Sequence, residues 1–118
     1  MPPVPDAALA EAARVELRGY WTGAVRRAKV WRNDLHVDLG LTTVSRAGVT
    51  IAEGRLITKR EAIDRLPSLG VPAELTDEIR RRRAGEAVTL SEPQIRDRAG
   101  LVRGIMREQL GRLLQPPA

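Results

Sequence analysis

Gly54-Arg55-Leu56-Ile57-Thr58-Lys59-Arg60-Glu61-Ala62 is the stretch that decides the fold. It reads as the end of one helix, a short turn and the start of another. Glycine accepts the left-handed backbone that closes a helix, so Gly54 is a C-terminal stop. Thr58-x-x-Glu61 has the form of a capping box, in which the threonine hydroxyl and the glutamate carboxylate each accept one of the free N–H groups at the helix start. Lys59 then falls in the first turn of the new helix, beside backbone donors with no partner inside it. A cation there opposes the helix dipole. It is either a solvated side chain or one member of an anion site built from N–H groups and an ammonium.

Outward from this junction the chain divides into helical segments. Met1-Pro2-Pro3-Val4-Pro5 reads as an extended linker over residues 1–5, because proline fixes the backbone and removes a donor. Asp6 is a suitable cap for a first helix from Ala7 to about Val30, with Leu9, Ala13, Leu17, Tyr20, Ala24 and Ala28 at helical spacing. Gly19 and Gly23 could loosen or split it. Arg32-Asn33-Asp34 is a turn, and a second helix runs from about Leu35 to Glu53. Gly40 and Gly48 lie inside that helix. Each costs about 1 kcal/mol against alanine, which points to close packing with a neighbour. A short third helix covers about Lys59 to Leu66 before the breaker cluster Pro67-Ser68-Leu69-Gly70-Val71-Pro72. A fourth spans about Pro72 to Arg83 and stops at Gly85, followed by a loop over Glu86 to Leu90. Ser91-x-x-Gln94, with Pro93 in the first turn, is a second capping box. The last helix carries Ile95, Ala99, Val102, Ile105, Met106, Leu110 and Leu113 on one face and leaves a tail at 116–118. No segment alternates strictly enough for a strand. The expected fold is all-α, a five-helix antiparallel bundle over residues 6–115.

Composition narrows the chemistry. The chain has 118 residues, no cysteine and one histidine, His36, which removes thiolate and multi-histidine metal sites. Net charge is +5, with 18 arginines against two lysines, and the acids are interspersed among them. Phenylalanine is absent and the aromatics are Tyr20, Trp21 and Trp31, so the core must be largely aliphatic. Tyr20 and Trp21 are neighbours and cannot share one helical face, so one belongs in the core and the other at a rim or interface. No apolar run approaches a membrane span and no signal peptide precedes the first charges, so a cytoplasmic protein without membrane partners is expected. A Gly-rich phosphate loop, a nucleophile elbow and a Ser/His/Asp set are all missing. Asp34 and Asp38, one turn apart, draw a polar stripe with Thr42 and Ser45; it reads as a solvated face or a cation-binding one. Trp31 lies close enough to add a cation–π face. The run Arg80-Arg81-Arg82-Arg83 complements the end of its helix, and lacks the interleaved aromatics of a nucleic-acid patch.

Taken in order, these residues resemble a known family. Leu17-Arg18-Gly19-Tyr20-Trp21 followed by Ala24, then Leu39-Gly40-Leu41 and Arg46, then Gly54-x-x-x-Thr58-Lys59-x-x-Ala62, then Leu66-Pro67, resemble the C-terminal helical domain of the streptomycin/spectinomycin adenylyltransferases. The likeness extends over almost the whole chain. It implies a domain that faces the aminoglycoside and the nucleotide and closes over ATP and magnesium. The metal-binding acids and catalytic base of that family lie in a separate nucleotidyltransferase domain, so no catalytic residue and no metal site is expected in these residues. By the resemblance, Lys59 approaches the ATP phosphates, Arg46 faces the cleft, and Asp34, His36 and Asp38 stand nearest the drug-binding acids. Two departures accompany it: the stretch from Lys59 to Leu66-Pro67 is about one helical turn shorter, and Arg83 stands closest to the position of an adenine-stacking aromatic. The partner implied is a nucleotidyltransferase domain, in cis or in trans. The other reading is a stand-alone helical protein–protein interaction module.

Overall fold

Capping signals set most helix boundaries in the computed structural model, which describes residues 6–115. The expected linker at 1–5 and tail at 116–118 lie outside those residues. The described chain is all-helical, with five helices and no strand. Helix α1 (Asp6–Glu16) continues through a π-helical segment, Leu17–Trp21, and a last turn, Thr22–Ala24. A 3-10 segment, Ala28–Arg32, leads into α2 (Asp34–Glu53). Helix α3 (Lys59–Asp64) and a 3-10 turn, Leu66–Leu69, are followed by α4 (Ala73–Arg83) and α5 (Glu92–Leu113). Both capping boxes form: Thr58 with Glu61 and Ser91 with Gln94. Gly54 closes α2 at φ 68°. Asn33, expected only as part of a turn, caps α2: its side-chain oxygen accepts from the N–H groups of Leu35 at 2.8 Å and His36 at 3.2 Å.

The first helix ends earlier than the apolar spacing predicts. Thr22 sends both its backbone N–H and its hydroxyl to the Leu17 carbonyl, the hydroxyl at 2.9 Å, and this closes a π turn around Gly19. The widened turn directs Trp21 into the core and leaves Tyr20 exposed, against the expectation that Tyr20 lies on the apolar face. The carbonyls at the helix end and just beyond it are then met by side chains from elsewhere. Trp31 Nε1 donates to Ala24 at 3.1 Å, Arg103 Nε donates to Val25 at 2.7 Å, and Arg103 Nη2 donates to Arg26 at 3.3 Å. With its terminal acceptors satisfied, the chain leaves the helix without stranding buried polar groups. Ala28, expected on the apolar face, is exposed.

Helix α2 is the centre of the packing, in contact with α1, the 3-10 segment Ala28–Arg32, α3 and α5. One continuous core joins Trp21, Trp31, Val37, Leu41, Val44 and Ile79 to Val102, Met106 and Leu110 of α5. Gly40 is where two tryptophans meet the helix. A Cβ there would lie 2.9 Å from Trp31 Cζ3 and 3.2 Å from Trp21 Cζ3, so close approach requires glycine. Gly48 does not meet the same constraint: a Cβ would have ordinary contacts, the nearest at 3.8 Å. A satellite cluster of Val49, Ile57 and Ala62 seats α3 against the end of α2. Ser45 Oγ donates to the Ala62 carbonyl at 2.7 Å and Arg65 Nη1 donates to the Ser45 carbonyl at 2.6 Å, which ties the two helices by buried polar contacts.

Candidate functional site

Lys59 lies where the sequence places it, at the first residue of α3 and exposed. It lines a groove of about 120 Å³ with Leu35, Asp38, Leu39 and Thr42 of α2, Ile63, and Ile79 and Arg83 of α4. The groove therefore gathers Lys59 and Arg83, from segments far apart in sequence, beside the Asp38–Thr42 stripe. Among the described residues neither Lys59 nor Arg83 has an ion-pair partner. Arg46 lines a different groove, of about 250 Å³ between α1 and α2, with Leu9, Ala13, Glu16, Thr43 and Leu56 among its walls. The two grooves share no lining residue, so the structure does not gather Arg46 and Lys59 in one cavity.

The acids of α2 are engaged by the protein's own arginines. Arg82 holds Asp38 with two hydrogen bonds, Nε to Oδ2 at 2.9 Å and Nη2 to Oδ1 at 2.7 Å. Arg98, almost fully buried on α5, pairs through Nη2 with Asp34 at 2.7 Å and through Nη1 with Glu78 at 2.7 Å. Glu78 also lies 2.5 Å from Arg82 Nη1, off the hydrogen-bond axis. Three carboxylates and two guanidiniums so form a network joining α2, α4 and α5, with one negative charge in excess. Burial pushes the Arg82 guanidinium down, but the hydrogen bonds to Asp38 and the charges of Asp38 and Glu78 outweigh it and hold the group above its ordinary value. Arg82 remains a cation at every accessible pH. The stripe expected to be solvated or cation-binding is thus largely structural: Asp34 and Asp38 are paired from inside by Arg98 and Arg82, and Ser45 is wholly buried.

Trp31 requires a correction. Expected to offer a ring face to a cation, it has no exposed surface and packs on Trp21 with ring centroids 6.1 Å apart. Burying an indole this completely contributes several kcal/mol, about 25 cal/mol for each of its roughly 200 Å². Its role is in the core. His36 is half-buried, and its Nε2 shares a 2.6 Å hydrogen bond with the Tyr20 hydroxyl; Arg27 lies over the Tyr20 ring at 5.6 Å. The arginine run is split by function. Arg82 turns inward, Arg80 pairs with Asp64 at 2.9 Å, Arg81 with Glu86 at 3.3 Å, and Arg83 stays exposed. One sequence signal for the network existed: Glu78-x-x-x-Arg82 is a favourable pair one turn apart. Among the described residues no group of three or more side chains is arranged to hold a metal ion. No helix among them is long and apolar enough to cross a membrane.

No family model matches this chain, and no curated protein and no solved structure matches it either.

Proposed function

We propose that this chain is the nucleotide-facing helical domain of an adenylyltransferase-like protein whose metal-binding and catalytic groups belong to a separate nucleotidyltransferase domain, with ATP and magnesium as that assembly's cofactors. The observation that carries this reading is the groove between α2, α3 and α4. It brings Lys59 and Arg83 together, both exposed and without acid partners among the described residues, beside the Thr42 side chain. Unpaired cations converging from two helices suit a polyphosphate. Short connections between successive helices support the finer arrangement as an antiparallel bundle. Aminoglycoside capture by this half alone gains no support from Asp34 and Asp38, whose charges Arg98 and Arg82 already meet.

The reading is tested by titrating the isotope-labelled chain with ATP and following backbone amide shifts. Shifts should centre on Lys59, Thr42 and Arg83. Each exposed charge contact is worth about 0.2–1 kcal/mol, so Lys59→Ala should weaken binding by up to about fivefold with the melting temperature unchanged. Shifts that map elsewhere, or that survive the substitution unchanged, refute it. The alternative, an interaction module, is favoured by the two exposed leucines in the same groove, Leu35 and Leu39.

A further inference from the structure

We infer that the face formed by the start of α2, α3 and the end of α4 docks an acidic amphipathic segment of a partner protein. The inference deepens the interaction-module reading: it shares Lys59 and Arg83 with the nucleotide reading, but rests on the exposed leucines beside them and stands without bound nucleotide. Leu35 and Leu39 lie one helical turn apart on α2 and are 62% and 45% exposed. Leucines left open on one helical stripe form an apolar strip rather than scattered surface residues. The strip is continuous through Ile63 with a second, larger groove of about 480 Å³ lined by Arg60, Ile63, Asp64, Arg80, Arg83 and Ala84. Ile63 is buried and forms the floor common to both grooves. Arg60 and Arg83 stand exposed on its rim without an acid partner among the described residues, whereas the Arg80–Asp64 pair between them is already matched.

Charge decides the occupant. Asp34 and Asp38, the acids beside the leucines, share Arg98 and Arg82 with Glu78, which leaves that network one negative charge in excess. Against it stand three cations without an acid partner among the described residues, Arg60, Arg83 and Lys59, so the rim is net positive. A partner must offer apolar side chains to the leucine strip and carboxylates to the rim. That is the pattern of a helix with leucines at i, i+3 and i+4 and acids flanking them. A bare polyanion satisfies the rim alone, and a neutral apolar segment satisfies the strip alone.

The test uses the whole chain, isotope-labelled, and three probes. These are a synthetic helical peptide with leucines at helical spacing and glutamates elsewhere, the same peptide with lysines for the glutamates, and inorganic triphosphate. The acidic peptide should shift the amides of Leu35, Leu39, Arg60, Ile63 and Arg83, and its binding should fade with salt. The double substitution Leu35→Ser with Leu39→Ser should weaken it at least about tenfold while the chain stays folded, its melting temperature falling only by the poorer helix propensity of serine and the partial burial of the leucines. Arg60→Glu with Arg83→Glu should abolish it. The lysine peptide should not bind. Triphosphate should leave Leu35 and Leu39 amides in place. Acidic-peptide shifts that are absent, or that are indifferent to the leucine substitutions, overturn the inference, as does equal binding of the lysine peptide. Loss of triphosphate binding instead counts only against the nucleotide reading.

Discussion

Replacing Gly40 by alanine should destabilise the protein, although alanine is the better helix former. The gain from propensity is about 1 kcal/mol. Against it stands the new methyl group, which would lie 2.9 Å from Trp31 Cζ3, 3.1 Å from Trp31 Cη2 and 3.2 Å from Trp21 Cζ3. A flexible side chain could swing away, but Trp31 cannot. It is fully enclosed, and its Nε1 is tied to the Ala24 carbonyl at 3.1 Å. Relief must come from moving α2 away from the tryptophan pair, and overpacking of that kind costs about 1–3 kcal/mol. The net loss is then up to about 2 kcal/mol. For a chain of this size each kcal/mol moves the melting temperature by about 4 °C, so a fall of up to about 8 °C is expected. Gly48→Ala is the control on the same helix, since its nearest neighbours would be at 3.8 and 4.0 Å. It should gain up to about 1 kcal/mol and melt a few degrees higher. Thermal unfolding followed by circular dichroism at 222 nm compares the two. If Gly40→Ala melts at or above the wild-type temperature, the tryptophans do not pin α2 at this point.

Two further outcomes follow from the charges. Arg98→Met keeps the volume but leaves Glu78 and Asp34 short of a partner; urea denaturation should show a loss of about 2–4 kcal/mol, while Arg80→Met, which breaks an exposed pair, should cost under about 1 kcal/mol. Equal effects mean that the network does not hold the helices together. Hydrogen bonds from the Thr58 backbone N–H, and then from its side chain, hold the Glu61 carboxyl below its ordinary value. A folded-state value below the unfolded one contributes stability that is complete above the ordinary carboxylate range and is lost as pH falls through the lowered value. Wild type should therefore melt above Glu61→Gln at neutral pH, and the gap should close on acidification; a gap independent of pH refutes the electrostatic part of the cap.

Signals confined to a few neighbouring residues were legible in the sequence. Thr58-x-x-Glu61, Ser91-x-x-Gln94, Gly54 as a stop, and the buried face of α5 through Ala99, Val102, Met106 and Leu110 are all local patterns, and the structure contains each. The differences have another origin. Ala24 and Ala28 keep the helical spacing as far as Val30, whereas the chain leaves the helix after Ala24 and its Val25 carbonyl is met by Arg103, 78 residues away. Trp31 and the Asp34–Asp38 stripe look available to a ligand when seen one helix at a time. Their burial and pairing depend on Gly40, Arg82 and Arg98, and the Asp38–Arg82 contact joins residues 44 positions apart. Nothing in a single helix's periodicity encodes such a partner. The candidate groove is half legible: local patterns mark Lys59 and the α2 stripe, but the convergence of Arg83 on the same groove needs the fold.

The way the segment between α1 and α2 is held has a consequence for how the sequence can drift. Arg103 grips the carbonyl oxygens of Val25 and Arg26, and Arg98 reaches that of Arg32 at 3.2 Å. Every residue type supplies that oxygen, so the clasp recognises the path of the main chain and is blind to the side chains it carries. Substitutions at the exposed positions 26, 27 and 29 can accumulate without loosening it. The constraint has been moved to α5, where a guanidinium spans two acceptors at fixed separation and a lysine ammonium cannot. Variation should thus be permissive on the strap and strict on the buckle, with Arg98 and Arg103 the least exchangeable cations of the chain.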